Sequence, residues 1–175
     1  MVAYEFNTAE NQTIDRELLL LFLNTGTKEA PVWSPIGKRV EDSRMELDWQ
    51  RESKKDIFGE TYNNMKKPIK TQSFDPWDLV KGDSAQKHIW ALAFVEENAQ
   101  ALSNQDVLVV HAYAGTADTA VFAERSESSA IEVTGLGGVG GGSIGMPITV
   151  TFGGTRTVGT AKVANGEVTF TPAAA

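Results

Sequence analysis

The chain of 175 residues has no cysteine, which excludes a disulfide framework and any thiolate metal site. Histidine is almost as scarce. His88 and His111 are the two present, and neither has an acid or a second imidazole beside it at metal-ligand spacing, so metal and general-base chemistry lack a pattern. Long apolar runs are missing too. The longest, Leu18 to Leu23, falls far short of the roughly 18 residues that suggest a membrane span. Met1 to Phe6 has no charged region followed by an apolar one, so no secretion signal is expected, and the sequon Asn11-Gln12-Thr13 reads as chance. The expectation is a soluble protein made in a cytoplasm, with no membrane partner. No G-x-S-x-G, H-E-x-x-H or Walker sequence occurs; Gly37-Lys38-Arg39 lacks the Ser/Thr and the upstream glycine. Scattered carboxylates single out no catalytic pair. The chain is expected not to be an enzyme and to take no cofactor or metal.

What is present is a core and a divided charge. Hydrophobic residues make up 41%, enough for packed layers. The length suits one domain, taken as residues 1–172, with 173–175 a loose tail. A net charge of −7 argues against nonspecific nucleic-acid binding, which needs basic surface against phosphates. Nine of the 16 Lys and Arg fall between Lys38 and Lys70 against seven acids, leaving that segment at +2 and the remainder at −9. A basic projection on an acidic body can attract copies of itself head to tail.

Periodicity predicts the elements. Residues 1–14 read as an extended polar arm. Glu17 to Asn24 has the length of a buried strand and stops at Thr25-Gly26. Pro31 and Pro35 around Val32-Trp33 mark a loop or irregular edge. Val40, Met45, Leu47 and Trp49 alternate with charge, as in a strand with one wet face. Residues 50–72 are too polar for a core and too regular for a linker, which predicts an extended loop or hairpin. Asp83 predicts a helix cap with Gln86 reaching back, and Ala85, Ile89, Leu92, Ala99 and Leu102 form the stripe of the one helix expected. Strands are predicted over 107–113, 120–124 and 130–134. Two hairpins are expected: 148–152 with 155–158 across Gly153-Gly154, and 162–163 with 168–171 across Asn165-Gly166. The fold class is mainly β with one packed α-helix, in a barrel or sandwich.

Two motifs need weighing. Gly135-Leu136-Gly137-Gly138-Val139-Gly140 has the letters of a dinucleotide loop, but no helix follows to present N–H groups to a pyrophosphate; residues 135–145 read as a flexible loop between strands. Arg51, Lys54, Lys55, Lys66, Lys67 and Lys70 lie on the limbs of the expected hairpin. An ordinary solvated face is the plain reading. Acids interrupt the cluster and stacking aromatics are few, which disfavours nucleic acid. Ile57, Phe58 and Tyr62 supply apolar anchors, so docking to a protein partner is expected of Arg51, Lys54, Lys55, Asp56, Ile57, Phe58, Tyr62, Lys66 and Lys67.

Leu20-Leu-Phe-Leu-Asn-Thr-Gly26, Trp33-Ser-Pro-Ile-Gly37, Asp56-Ile-Phe-Gly-Glu-Thr-Tyr62 and Thr71-Gln-Ser-Phe-Asp-Pro76 resemble the major tail tube proteins of long, noncontractile-tailed bacteriophages. The ending from Gly159 to Pro172 is similar to that family as well. The resemblance implies a tail-tube barrel assembling into hexameric rings that stack into a hollow tube in the virion. Residues 50–72 would be the loop that reaches the neighbouring ring. Genomic DNA would pass through without specific binding, and the partners would be further copies together with tape measure, tail terminator and distal tail proteins. Related barrels form the tubes of contractile tails and type VI secretion systems. The competing reading is a non-catalytic β-sandwich binding or decoration module of a phage particle, for example a carbohydrate binder with Trp33, Trp49 and Trp77 as stacking platforms.

Overall fold

Four consecutive apolar residues, Val107 to Val110, are all buried, which requires a strand covered on both faces. They belong to β7 (Gln105–Thr116) in a computed structural model that describes residues 4–173. Around it lie β1 (Leu19–Asn24), β2 (Trp33–Ile36), β3 (Met45–Asp48), β6 (Ile69–Phe74), β8 (Ala120–Val133), β9 (Ile148–Phe152), β10 (Arg156–Ala164) and β11 (Glu167–Pro172). These form one antiparallel sheet in the order β2-β1-β7-β8-β9-β6-β3, with β10 and β11 branching from β8. Among the described residues, the short β4 (Glu52–Lys55) and β5 (Thr61–Asn64) pair only with each other. The class expected from the sequence, mainly β with one packed helical segment, is the class observed.

Two cores fill the two faces. Val107 and Val109 pack with Leu21, Leu23, Trp77, Ile89, Ile148 and Val150. Leu108 and Val110 pack with Phe22, Trp33, Val121, Ala123 and Ala161. Val168 and Phe170 of β11 fold onto the second core, bringing β11 towards β2. Val121 and Ile131 have the same parity on β8 yet sit in different cores. An irregularity between Gln105 and Val107 shifts the register opposite Ser126–Ser129 by one residue, and a one-residue slip exchanges the faces.

That corner overturns one expected hairpin. Residues 148–152 do not pair with 155–158 across Gly153-Gly154. Instead β9 pairs with Ala130–Val133 and β10 with Val121–Ser126, so both run in succession along the same edge of β8. The glycines are the bend between them. Gly154 has φ +69°, and a Cβ there would lie 2.8 Å from the Ser128 backbone nitrogen, which no other residue type tolerates cheaply. The segments 120–124 and 130–134 are correspondingly one long strand, not two. Asn165-Gly166 behaves as expected: φ values of 53° and 80° link Ala164 to Glu167 in a two-residue turn.

The helical segment is less regular than its stripe predicts. Asp83 Oδ1 accepts from the Gln86 N–H at 3.0 Å, as a cap should. Gln86 does not reach back to Asp83; its side chain donates to Asp78 O and accepts from Val80 N–H. After α1 (Ser84–Trp90) the chain widens into a π-helical turn, Ala91–Val95, and restarts at Asn98, whose Oδ1 caps α2 (Ala99–Leu102). Ala85, Ile89 and Leu92 are buried, but Ala99 is exposed. The remaining corrections are local. Val40 lies in a turn, its N–H donating to Gly37 O, and β3 starts only at Met45. Ile69 to Gln72 belong to β6, so the projecting hairpin ends before them. Ala173 of the expected loose tail donates to Val158 O, and Asn7 of the expected arm donates to Tyr113 O. Residues 1–3 of that arm and 174–175 of the tail lie outside the described residues.

Candidate assembly surface

The hairpin β4–β5 projects from the sheet with every residue of both strands exposed. Its limbs are joined at the root by the Lys66 N–H donating to Trp49 O, and along their length by four paired positions from Glu52↔Asn64 to Lys55↔Thr61. At the tip, Asp56 organises the turn: its Oδ1 accepts from the N–H groups of Phe58 (2.9 Å) and Glu60 (3.0 Å). Gly59 supplies the positive φ of 82° the reversal requires. The tip thereby holds out Ile57 at 93% and Phe58 at 86% exposure. Exposed apolar side chains on a polar projection mark contact surface more than stability.

All nine residues expected to dock, from Arg51 to Lys67, are exposed and lie on this one projection. Their environments differ. Lys54 and Lys66 flank Glu52 at 4.0 and 3.5 Å, solvated pairs that contribute little to folding. Asp56 serves the turn. Lys70, grouped with the limbs in the sequence, is elsewhere: on β6 its Nζ donates to both carboxylate oxygens of Glu124, at 2.8 and 2.9 Å.

Glu124 is the feature the sequence concealed. Its side chain is 6% exposed and is also bonded by Arg156 and by His111 Nε2 at 3.3 Å. Burial pushes its pKa up, but the hydrogen bonds from His111, Lys70 and Arg156 outweigh that and hold it far below the usual carboxylate range. His111 Nδ1 meets the Tyr113 hydroxyl at 2.7 Å, and burial, followed by the Glu124 charge, raises the Tyr113 pKa. The network ties β6, β7, β8 and β10 together at the root of the arm. The only sequence signal was an acid at a strand position whose cross-strand partner, Val109, is core; that partner is unknowable before the pairing is known.

Beside this network lies an open cleft of about 390 Å³. Leu47, Trp49, Pro68 and Phe152 give it apolar walls, and Lys67, Lys70 and Arg156 line it with Glu124. A second groove, about 530 Å³, runs between the π-helical turn and β8, with Phe94, Leu102, Val133 and Leu136 beside Glu97 and Glu132. Of the three tryptophans considered as stacking platforms, Trp33 and Trp77 are core, at 8% and 0% exposure, and Trp49 is half-exposed. The glycine-rich segment is a loop, closed by hydrogen bonds between Gly137 and Gly145 and leading into β9 with no helix. Among the described residues, no three His, Asp or Glu side chains are grouped to hold a metal, and no helix is long and apolar enough to cross a membrane.

No family model and no curated protein matches the chain. Solved structures do. The chain is similar to the PVC sheath/tube terminator of an extracellular contractile injection system in the extended state, with TM-score 0.53 and 9% identity over 86% of this chain and 99% of that one. A chain of the PVC sheath-tube complex gives TM-score 0.52 and 9% identity, covering 85% and 93%. The anti-feeding prophage tube-terminating cap gives 0.50 and 11%, covering 89% and 96%. At such identities the likeness is one of fold. Two of these neighbours are components of an extracellular contractile injection system, and none of the three is the tube of a noncontractile tail. The chain has a phage-tail-related fold.

Proposed function

We propose that the chain is a structural subunit that self-assembles into stacked, hexameric rings forming a hollow tail tube for genomic DNA. The observation that carries this reading is the preformed arm, which presents Ile57 and Phe58 almost fully to solvent beyond a well-packed body. The likeness in fold, over 86% and 85% of the chain, to components of sheath and tube assemblies supports it. The body's excess of acid suits a channel wall that DNA does not grip, because a basic wall would bind phosphates through counterion release. Tape measure and terminator proteins would meet the ends of such a tube, in a noncontractile phage tail. Two of the three neighbours are terminating components, which favours as a second reading a ring that ends a tube rather than extends it.

Docking by the limbs is expected to be partly electrostatic. Replacing Lys54, Lys55, Lys66 and Lys67 together with Glu should stop assembly, read by sedimentation, while leaving the thermal unfolding of the subunit within about 1 kcal/mol of wild type, because exposed pairs contribute little. Wild-type assembly should also slow at 1 M salt, where screening shortens to about 3 Å. Assembly indifferent to both changes would assign docking to apolar contacts alone.

A further inference from the structure

We infer that the tip of the arm, Asp56 to Glu60, seats in the cleft at the root of the arm on a second copy of the chain. The inference rests on the assembly reading and identifies the receiving surface. The tip is an apolar pair bracketed by acids: Ile57 and Phe58 stand out between Asp56 and Glu60. Hydrogen bonds from Phe58 and Glu60 to Asp56 already fix its shape, so little ordering is left to do on binding. The cleft is the complement. Its walls are Leu47, Trp49, Pro68 and Phe152, and its charged groups are Lys67, Lys70 and Arg156 against the single carboxylate of Glu124, a balance of +2 facing the −2 of the tip. Its 390 Å³ falls in the range of about 300–1,000 Å³ that encloses small ligands, room for a side chain or two.

The occupant cannot be the same molecule's tip. Four paired positions separate tip from root, and at about 3.3 Å per residue the ladder alone holds them some 13 Å apart. Nor does the larger groove fit, because Glu97 and Glu132 beside it repeat the sign of the tip, and like charges reject a partner. Tip and cleft are different surfaces, so the contact is heterologous: each copy that receives a tip still offers its own. It therefore propagates, and the arm uses opposite charges for separate tasks, acid at the tip and base along the limbs.

The absence of cysteine makes the test clean. Phe58→Cys and Pro68→Cys variants are prepared separately, mixed under assembly conditions and oxidised or treated with a short thiol crosslinker. The expected product is a covalent heterodimer, and a chain carrying both substitutions should give a ladder of multimers. Ile57→Cys with Trp49→Cys is a second pair in case Pro68→Cys perturbs the root. Glu60→Lys should lower the crosslink yield about fivefold or more, as should Lys67→Glu, and combining the two should restore it, since each reversal sets like charges together and the pair restores opposition. Wild-type assemblies under the microscope with neither pair crosslinking would overturn this contact and leave the assembly reading standing. A wild-type chain that forms no assemblies, together with Cys-substituted pairs that give no crosslinks, overturns both.

Discussion

Replacing Glu124 with Ala is expected to lower the unfolding free energy by about 3–5 kcal/mol, because it strips the shared partner from Lys70, Arg156 and His111 at a buried position. Lys70 and Arg156 retain some access to water, which places the loss toward the lower end. The sign of the pH dependence follows from the depressed Glu124 pKa. A carboxylate that ionises more readily folded than unfolded stabilises fully above its unfolded value, about 4.3, and loses that contribution as pH falls through the folded value. The gap between wild type and Glu124→Gln should therefore be full at pH 7 and shrink below about pH 4. Urea unfolding of both proteins across that range checks it; a gap that widens in acid would contradict the assigned roles.

Trp77→Ala should cost as much for a different reason. Trp77 is fully buried among Ile89, Met146 and Ile148, and its carbonyl accepts from the Met146 N–H. It thus pins the glycine-rich loop to the segment leading into α1. Removing a large buried aromatic costs about 3–5 kcal/mol, or ~6–20 °C in a chain of this size. Differential scanning calorimetry measures it. A shift of a degree or two would mean that the two cores are far looser than the packing indicates.

How much of this was legible in the sequence depended on the range of the forces involved. Asn165-Gly166 was readable because a two-residue turn is decided by the φ values its own residues accept. Asp83 was readable as a cap for the same reason, while the side chain of Gln86 went to Asp78 and Val80, a tertiary choice that no spacing rule contains. Gly153-Gly154 misled because the same dipeptide serves a hairpin turn and a corner, and only the close approach of Ser128 decides between them.

The candidate surface divides in the same way. The arm was visible from local composition: a long polar, basic stretch carrying the apolar anchors Ile57, Phe58 and Tyr62; its four-residue ladders were not. Its receiving cleft was not, since Leu47, Pro68, Phe152 and Arg156 are brought together from β3, the arm root, β9 and β10. Lys70 was misplaced onto the limbs because charge alone does not distinguish a solvated lysine from one paired to Glu124.

The central claim is self-assembly, and electron microscopy of the purified, concentrated chain in negative stain tests it most directly. The account predicts rings and stacked tubes with a stained central channel, present at physiological salt and lost in the four-lysine reversal variant. A monodisperse monomer at high concentration, with the arm intact and the fold native by circular dichroism, would contradict it.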